Sequence, residues 1–336
     1  MSTTRRDSGM TPFLLRLPHL VPPADDAIRT ERDRALVDAY LSAVNHAPLD
    51  GTPASPATEQ EFFTQASILD AAKRAIPRER LWITFDDHSA RNGRGITAPV
   101  FSIRGKSFGS TRPISQTEES TRSGDLWQSR TLHDALAVPV VLCSMHSPVT
   151  PAQVMARQHA LGQSFSHVRL LGEGRSGIVT NFPTVPENDA ELVRVFGWSI
   201  ARENGWADTI VVSANLRATR QMRVWIVGGE VVAGSGIVPA LDPRDAGSSA
   251  FDQRNTHKPY DGIPITYSEP HEVEYIAELA RTISAAGKNG GDLPASFVLD
   301  IGWSNGVPAV LDIRSLDETP LYAVDPYRII SALDAA

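Results

Sequence analysis

The stretch 297–322, FVLDIGWSNGVPAVLDIRSLDETPLY, is the part of the chain from which a fold can be read. Two apolar runs, 297–301 and 308–313, flank a turn at Ser304-Asn305-Gly306. Asn-Gly between such runs favours the tight turn that joins antiparallel strands, so the spacing predicts a β-hairpin. Each run carries one acid, Asp300 and Asp312, at the same distance from Gly306, and a tight turn there sets them opposite each other. Opposed residues have Cβ atoms about 5 Å apart, and like charges at that spacing destabilise a sheet. A divalent cation held by hard carboxylate oxygens would offset that cost. The alternative is a bulge that staggers the register and turns one acid to water. Both stay open on these residues alone.

Composition narrows the class. At 336 residues the chain has room for two domains or one large one, and its 41% hydrophobic and 21% charged content is that of a soluble globular protein. A formal net charge of -7 speaks against nucleic-acid binding through bulk electrostatics. Lys73, Lys106, Lys258 and Lys288 are the only lysines, so a site that needs a cation draws on arginine, whose planar fork grips phosphate or carboxylate with two donors. Cys143 stands alone, which excludes an internal disulfide and a thiolate zinc site. No apolar run reaches membrane-spanning length and no secretory signal is visible, so the expectation is a cytoplasmic protein with no membrane partner.

In chain order, residues 1–12 read as a disordered lead. Helical spacing runs over 27–44 and 59–75, and 81–85 is a short strand entering Asp86-Asp87-His88, a loop tip that suits solvation better than metal binding. Residues 91–130 are rich in Gly, Ser, Thr and Arg and read as a loop or flap. Strands follow at 138–145, 167–171, 178–182 and 209–213, with helices at 150–161 and 189–204. The connector Gly172-Glu173-Gly174-Arg175-Ser176-Gly177 matches GxGxxG, but β-branched residues follow it where a dinucleotide site needs a helix. A glycine-rich β-turn is the better reading, and its bare N–H groups suit phosphate. Kinase lysine, HRD and DFG signatures are absent from the sequence. A hairpin about Gly228-Gly229 puts Arg223 on the face of Trp225. The loop 239–261 carries Arg244, Arg254, His257 and Lys258, and a helix over 272–286 stops at Gly287.

This order of elements resembles the ATP-grasp fold, and local text is similar too. Gln221-Met222-Arg223 with VWIVGGEVVAGS stands where the family has Glu-x-Arg and a short hairpin. Val298-Leu299-Asp300-Ile301-Gly302, Val310-Leu311-Asp312-Ile313-Arg314 and Pro320-Leu321-Tyr322 resemble its metal strands and closing turn. The likeness covers about 138–335 and is nearest to small, divergent bacterial and phage members. It implies an α+β (α/β) protein in which two sheet-plus-helix subdomains sandwich a nucleotide cleft. Residues 138–212 would form the lobe with the glycine flap and 213–336 the lobe with the metal hairpin, after an N-terminal α/β domain at 13–137.

The activity so implied is ATP-dependent carboxylate–amine ligation through an acylphosphate, with ATP and magnesium, or manganese, as cofactors. Small carboxylate and amine substrates are the implied partners, and a homodimer stays open. Asp300 and Asp312 match the metal positions. Arg223 and Arg314 would be the catalytic cations. Arg169, Gly172, Gly174, Arg175 and Ser176 would meet phosphate, and Val212, Ser213, Asn215 and Gln221 the rest of the nucleotide. Three departures stand out: Asp312 replaces a glutamate, Arg314 replaces an asparagine, and Gln221 stands where an acid is common. An asparagine can ligate magnesium, whereas arginine has no acceptor. The resemblance therefore leaves a second outcome, a catalytically reduced protein that binds nucleotide or a protein partner. A third is an unrelated α+β binding protein whose acids and glycines are structural.

Overall fold

A computed structural model describes residues 13–46, 54, 56–85, 100–101, 126, 129–135, 140–144, 166–172, 179–182, 207–214, 218–256, 264–304, 306–314, 316 and 320–336. The fold over these residues is mixed α+β, as the sequence suggests.

The N-terminal part alternates strand and helix. β1 (Phe13–Leu17) leads through a 3-10 turn (Asp25–Ala27) to α1 (Glu31–His46) and α2 (Glu59–Ala75), then β2 (Leu81–Phe85) and β3 (Val100–Phe101). β1 lies between β2 and β3 and pairs parallel with both. Helix α2 keeps the bounds its sequence predicts because Thr58 caps it: its hydroxyl accepts from Glu61 N, and the Glu61 carboxylate accepts from Thr58 N at 2.8 Å. Tyr40 of α1 is fully buried. Its hydroxyl donates to the Pro18 carbonyl and accepts from Leu20 N, tying α1 to the end of β1. Burial pushes that hydroxyl far above the ordinary tyrosine pKa, so it stays protonated.

Next come α3 (Arg130–Ala135), β4 (Val140–Ser144), β5 (Ser166–Gly172), β6 (Val179–Phe182) and β7 (Ala207–Ala214). The four strands form an antiparallel sheet in the order β4-β7-β5-β6, and all four fall on runs read as strands in the sequence. Helix α3 begins at Arg130, the last residue of the stretch read as a loop. The helices expected over 150–161 and 189–204, the glycine turn and the Asp86-Asp87-His88 tip lie outside the described residues.

The C-terminal part is built on β8 (Thr219–Val227), β9 (Glu230–Gly236), β10 (Phe251–Asp252), β11 (Arg254–Asn255), β12 (Thr266–Tyr267), α4 (Pro270–Gly290), β13 (Phe297–Ser304), β14 (Val307–Arg314) and α5 (Pro326–Ala335). Five of these strands form one sheet, ordered β10-β9-β8-β13-β14. Alternation along β8 and β13 supplies both of its faces. Met222, Val224, Ile226, Leu299 and Ile301 share a core with Val273, Ile276, Ala280 and Ile283 of α4, joined by Leu126 and Leu132. Trp225, Val227 and Val298 share the other core with Phe62, Phe63 and Leu69 of α2 and Ile329 and Ile330 of α5. Each such side chain stabilises the fold by about 1.5–3 kcal/mol when fully buried. N-terminal helices and C-terminal sheet are thus held by one continuous core.

Helix α4 corrects a sequence expectation: it does not stop at Gly287 but runs to Gly290 and ends on Gly291, whose φ is 69°. Gly287 serves packing instead, since a Cβ there would lie 2.6 Å from Leu293 Cβ. Among the described residues no helix is long and apolar enough to cross a membrane.

Candidate functional site

The expected hairpin forms, and its register contains the reason the two acids meet. From the turn outward, Ser304 pairs with Val307, Trp303 with Pro308, Gly302 with Ala309 and Ile301 with Val310. Continued unbroken, that register would set Leu311 against Asp300. Instead it shifts between Asp300 and Ile301, Leu311 is passed over, and Asp300 pairs with Asp312. Gly306 takes the positive φ of 81° that the turn requires. The bulge, which on sequence grounds would part the acids, is what brings them together.

Arginines offset the like charges. On the opposite edge of β13, Asp300 pairs with Arg223 of β8. The Arg223 guanidinium donates from Nε to Oδ1 at 2.7 Å and from Nη2 to Oδ2 at 2.8 Å, a bidentate grip with both side chains buried. Arg314, at the end of β14, brings Nη2 to 2.6 Å from Asp312 Oδ2 and Nε to 3.4 Å from Asp300 Oδ2. Among the described residues, two carboxylates and two guanidiniums make a cluster of zero formal charge. Burial alone would lower both arginine pKa values; carboxylate charge outweighs it, from Asp300 at Arg223 and from Asp312 and then Asp300 at Arg314, so both rise.

The cluster is closed on one side by the segment after the hairpin. Arg223 Nη1 donates to the Pro320 carbonyl at 3.3 Å, and its guanidinium carbon stands 5.2 Å from the centre of the Tyr322 ring. Tyr322 holds a φ of 49°, a strained value for a residue with a side chain. Gly302 admits the close approach of its neighbours, because a Cβ there would lie 2.8 Å from both Ala218 Cβ and Leu311 Cδ1 and 3.3 Å from Gln221 Cγ. Gln221 is half-buried, with alternation placing it on the Arg223 side of β8.

Burial separates the two arginines by role. The Arg223 side chain is 3% exposed and its donors are spent on Asp300 and Pro320. The Arg314 side chain is 18% exposed, and its buried Nε makes no aligned hydrogen bond. Arg314 is the arginine of the cluster whose side chain is partly open to the surface.

The structure gathers Arg223, Asp300, Asp312, Arg314 and Gln221 into one place. Arg169, Gly172, Val212 and Ser213 lie in the other sheet, where Arg169 pairs with Val179 and Val211, and Gly172 with Ala207. β7 is paired along both edges at Val212 and Ser213, which occupies their backbone groups within the sheet. Gly174, Arg175, Ser176 and Asn215 are outside the described residues. Arg244 and Arg254 of the 239–261 loop bind the chain itself. Arg254 holds Asp252 at 2.5 Å, and Arg244 holds Asp242 at 2.8 Å and Glu59 at 3.1 Å while lying over the Phe63 ring. Tyr322 and the Pro320 carbonyl are contacts of the cluster that residue-by-residue reading missed.

The acids have the oxygen chemistry that magnesium and manganese take, yet their arrangement does not fit a divalent ion. Asp300 gives both oxygens to Arg223, Asp312 is held by Arg314, and among the described residues the cluster is already neutral. A further double charge in a buried, balanced site would be uncompensated. Among the described residues no group of three or more His, Cys, Asp or Glu is placed to hold a metal.

No family model and no curated protein matches the chain. Solved structures do align with it. A D-alanine–D-alanine ligase from Bacillus anthracis complexed with ATP is 11% identical over 82% of this chain and 91% of its own, with a TM-score of 0.47. D-cycloserine synthetase aligns at 12% identity over 96% and 98% of the two chains, with a TM-score of 0.43. A RimK domain protein described as ATP-grasp, from Sphaerobacter thermophilus, is 13% identical over 96% and 100%, with a TM-score of 0.39. Likeness at this level does not place the chain in a family.

Proposed function

We propose that this protein is an ATP-dependent carboxylate–amine ligase in which Arg314 receives the charge of the transferring phosphoryl group. The observation that carries the reading is the contrast within the cluster: the Arg223 side chain is sealed at 3% exposure with both Asp300 oxygens in its grip, while the Arg314 side chain is partly open to the surface. A guanidinium partly open to the surface at the edge of an otherwise buried charge cluster is suited to phosphate or carboxylate. The resemblance of strands β8, β13 and β14 to ATP-grasp motifs supplies the reaction class.

In this reading a substrate carboxylate oxygen attacks the γ-phosphorus of ATP, the bond to the β-phosphate oxygen breaks, and ADP leaves. An amine then attacks the acyl carbon, loses a proton and expels phosphate, leaving an amide. Arg314 stabilises the equatorial oxygens during transfer. Arg223 touches no substrate: its grip on Asp300 fixes β13, the strand against which β14, with Asp312 and Arg314, is paired.

The test is ADP release over a panel of amino acids and short peptides, with wild type, Arg314→Ala and Arg314→Lys. The reading expects release that depends on the added substrate, falling about 10²–10³-fold in Arg314→Ala and partly restored in Arg314→Lys. ATP binding without substrate-dependent ADP release from any carboxylate–amine pair would contradict it.

A further inference from the structure

The Asp300–Asp312 pair poses an electrostatic problem that the chain solves from within. Two buried carboxylates face each other across β13 and β14. Between them lies Arg314, 2.6 Å from Asp312 Oδ2 and 3.4 Å from Asp300 Oδ2. Arg223 holds Asp300 from the far side. The guanidinium thus occupies the bridging position a divalent ion would take between two opposed acids, and it brings no acceptor with which to ligate one.

We infer that Arg314 is the resident cation of this site: it stands in for a metal ion between Asp300 and Asp312, and the pair binds no divalent ion of its own. A divalent ion reaches the cluster only on the phosphates of an incoming ligand. The inference concerns the same cluster as the proposed ligase site, but it does not need the protein to bind ATP. A failure of nucleotide binding therefore leaves it separately readable.

Two consequences follow from charge. Replacing Arg314 by a neutral residue with an acceptor leaves two opposed acids and one guanidinium, a net negative site with oxygen ligands. Such a site attracts a divalent ion. Replacing Arg314 by lysine keeps the charge and keeps the ion out.

The experiment is Mn2+ binding to the full chain without nucleotide, followed by electron paramagnetic resonance and by thermal melting, since an ion that binds only the folded state raises its stability. Wild type and Arg314→Lys are expected to bind no stoichiometric Mn2+ at millimolar concentration. Arg314→Asn is expected to gain one site, lost again in Arg314→Asn/Asp312→Asn. Should Arg314→Asn fold only when Mn2+ is added, the ion has replaced the guanidinium and the inference stands. Wild type binding one Mn2+ that Asp312→Asn removes would overturn it. So would an Arg314→Asn protein that neither binds Mn2+ nor is restored by it.

Discussion

Asp300 and Asp312 are paired across β13 and β14 because Leu311 is passed over in the register. The same Asp300 is paired on its other side with Arg223. One strand position therefore joins three strands electrostatically, and its neutrality depends on each partner. Replacing Arg223 by methionine leaves Asp300 buried without the guanidinium that grips both its oxygens. The expected loss is about 3–5 kcal/mol in urea unfolding, the scale for breaking a buried ion pair. Arg223→Met/Asp300→Leu is expected to lose clearly less than the two single losses added together, because the stranded charge is gone. A double-mutant cycle reads that coupling.

The Arg223–Tyr322 contact uses the face of the ring, at 5.2 Å. Tyr322→Phe keeps that face and is expected to stay within about 0.5 kcal/mol of wild type, the usual range for changes that remove no named contact. Tyr322→Leu removes the ring at a position whose φ of 49° already disfavours a branched side chain. It is expected to be less stable than Tyr322→Phe by at least ~0.5–2 kcal/mol, the scale of a cation–π contact, measured by the same unfolding series.

Gly302 is held against Ala218 and Leu311, each 2.8 Å from where a Cβ would stand. Gly302→Ala is expected to lose about 1–3 kcal/mol, the scale of overpacking. Gly247 has nothing within 4 Å of that position, so Gly247→Ala is the control and should be near neutral. Melting temperatures of the two variants give the comparison.

Asp292 ties α3 to the end of α4, accepting from Ser129 Oγ at 3.1 Å, Thr131 N at 2.8 Å and Thr131 Oγ1 at 2.7 Å. The Thr131 backbone bond is the main reason its carboxyl titrates below the ordinary aspartate value, with partial burial opposing. A carboxyl whose pKa is depressed on folding stabilises the fold above its unfolded value. That contribution is lost as pH falls from the unfolded value through the folded one. Wild type should lose stability in that acid window relative to Asp292→Asn, whose curve lacks this component. Unfolding across pH 2–5 (approximately the carboxylate range) shows whether the two curves converge at the acid end.

Much of the architecture was legible because its signals are local. Asn305-Gly306 between apolar runs gives the hairpin, and Thr58 with Glu61 gives the start of α2. The meeting of Asp300 and Asp312 was legible only through a mistaken count: symmetry about Gly306 ignores that the turn closes on Ser304 and Val307, and a bulge at Leu311 makes up the difference. Nothing in VPAVLDIR marks that bulge. The Arg223–Asp300 pair joins residues 77 apart in sequence and needs the β8–β13 register, which no local signal carries. The fate of the loop arginines was written locally and overlooked. Asp242-x-Arg244 and Asp252-x-Arg254 repeat one spacing, and each arginine folds back on the aspartate two residues before it.

The most direct test of the account is the melting temperature of the full chain in magnesium, with and without ATP, for wild type and Arg314→Ala. Wild type should melt higher with the nucleotide, because a ligand of the folded state stabilises it in proportion to its occupancy. Arg314→Ala should lose most of that rise. No rise in wild type, or an equal rise in the variant, would contradict the claim that Arg314 is where this protein meets phosphate.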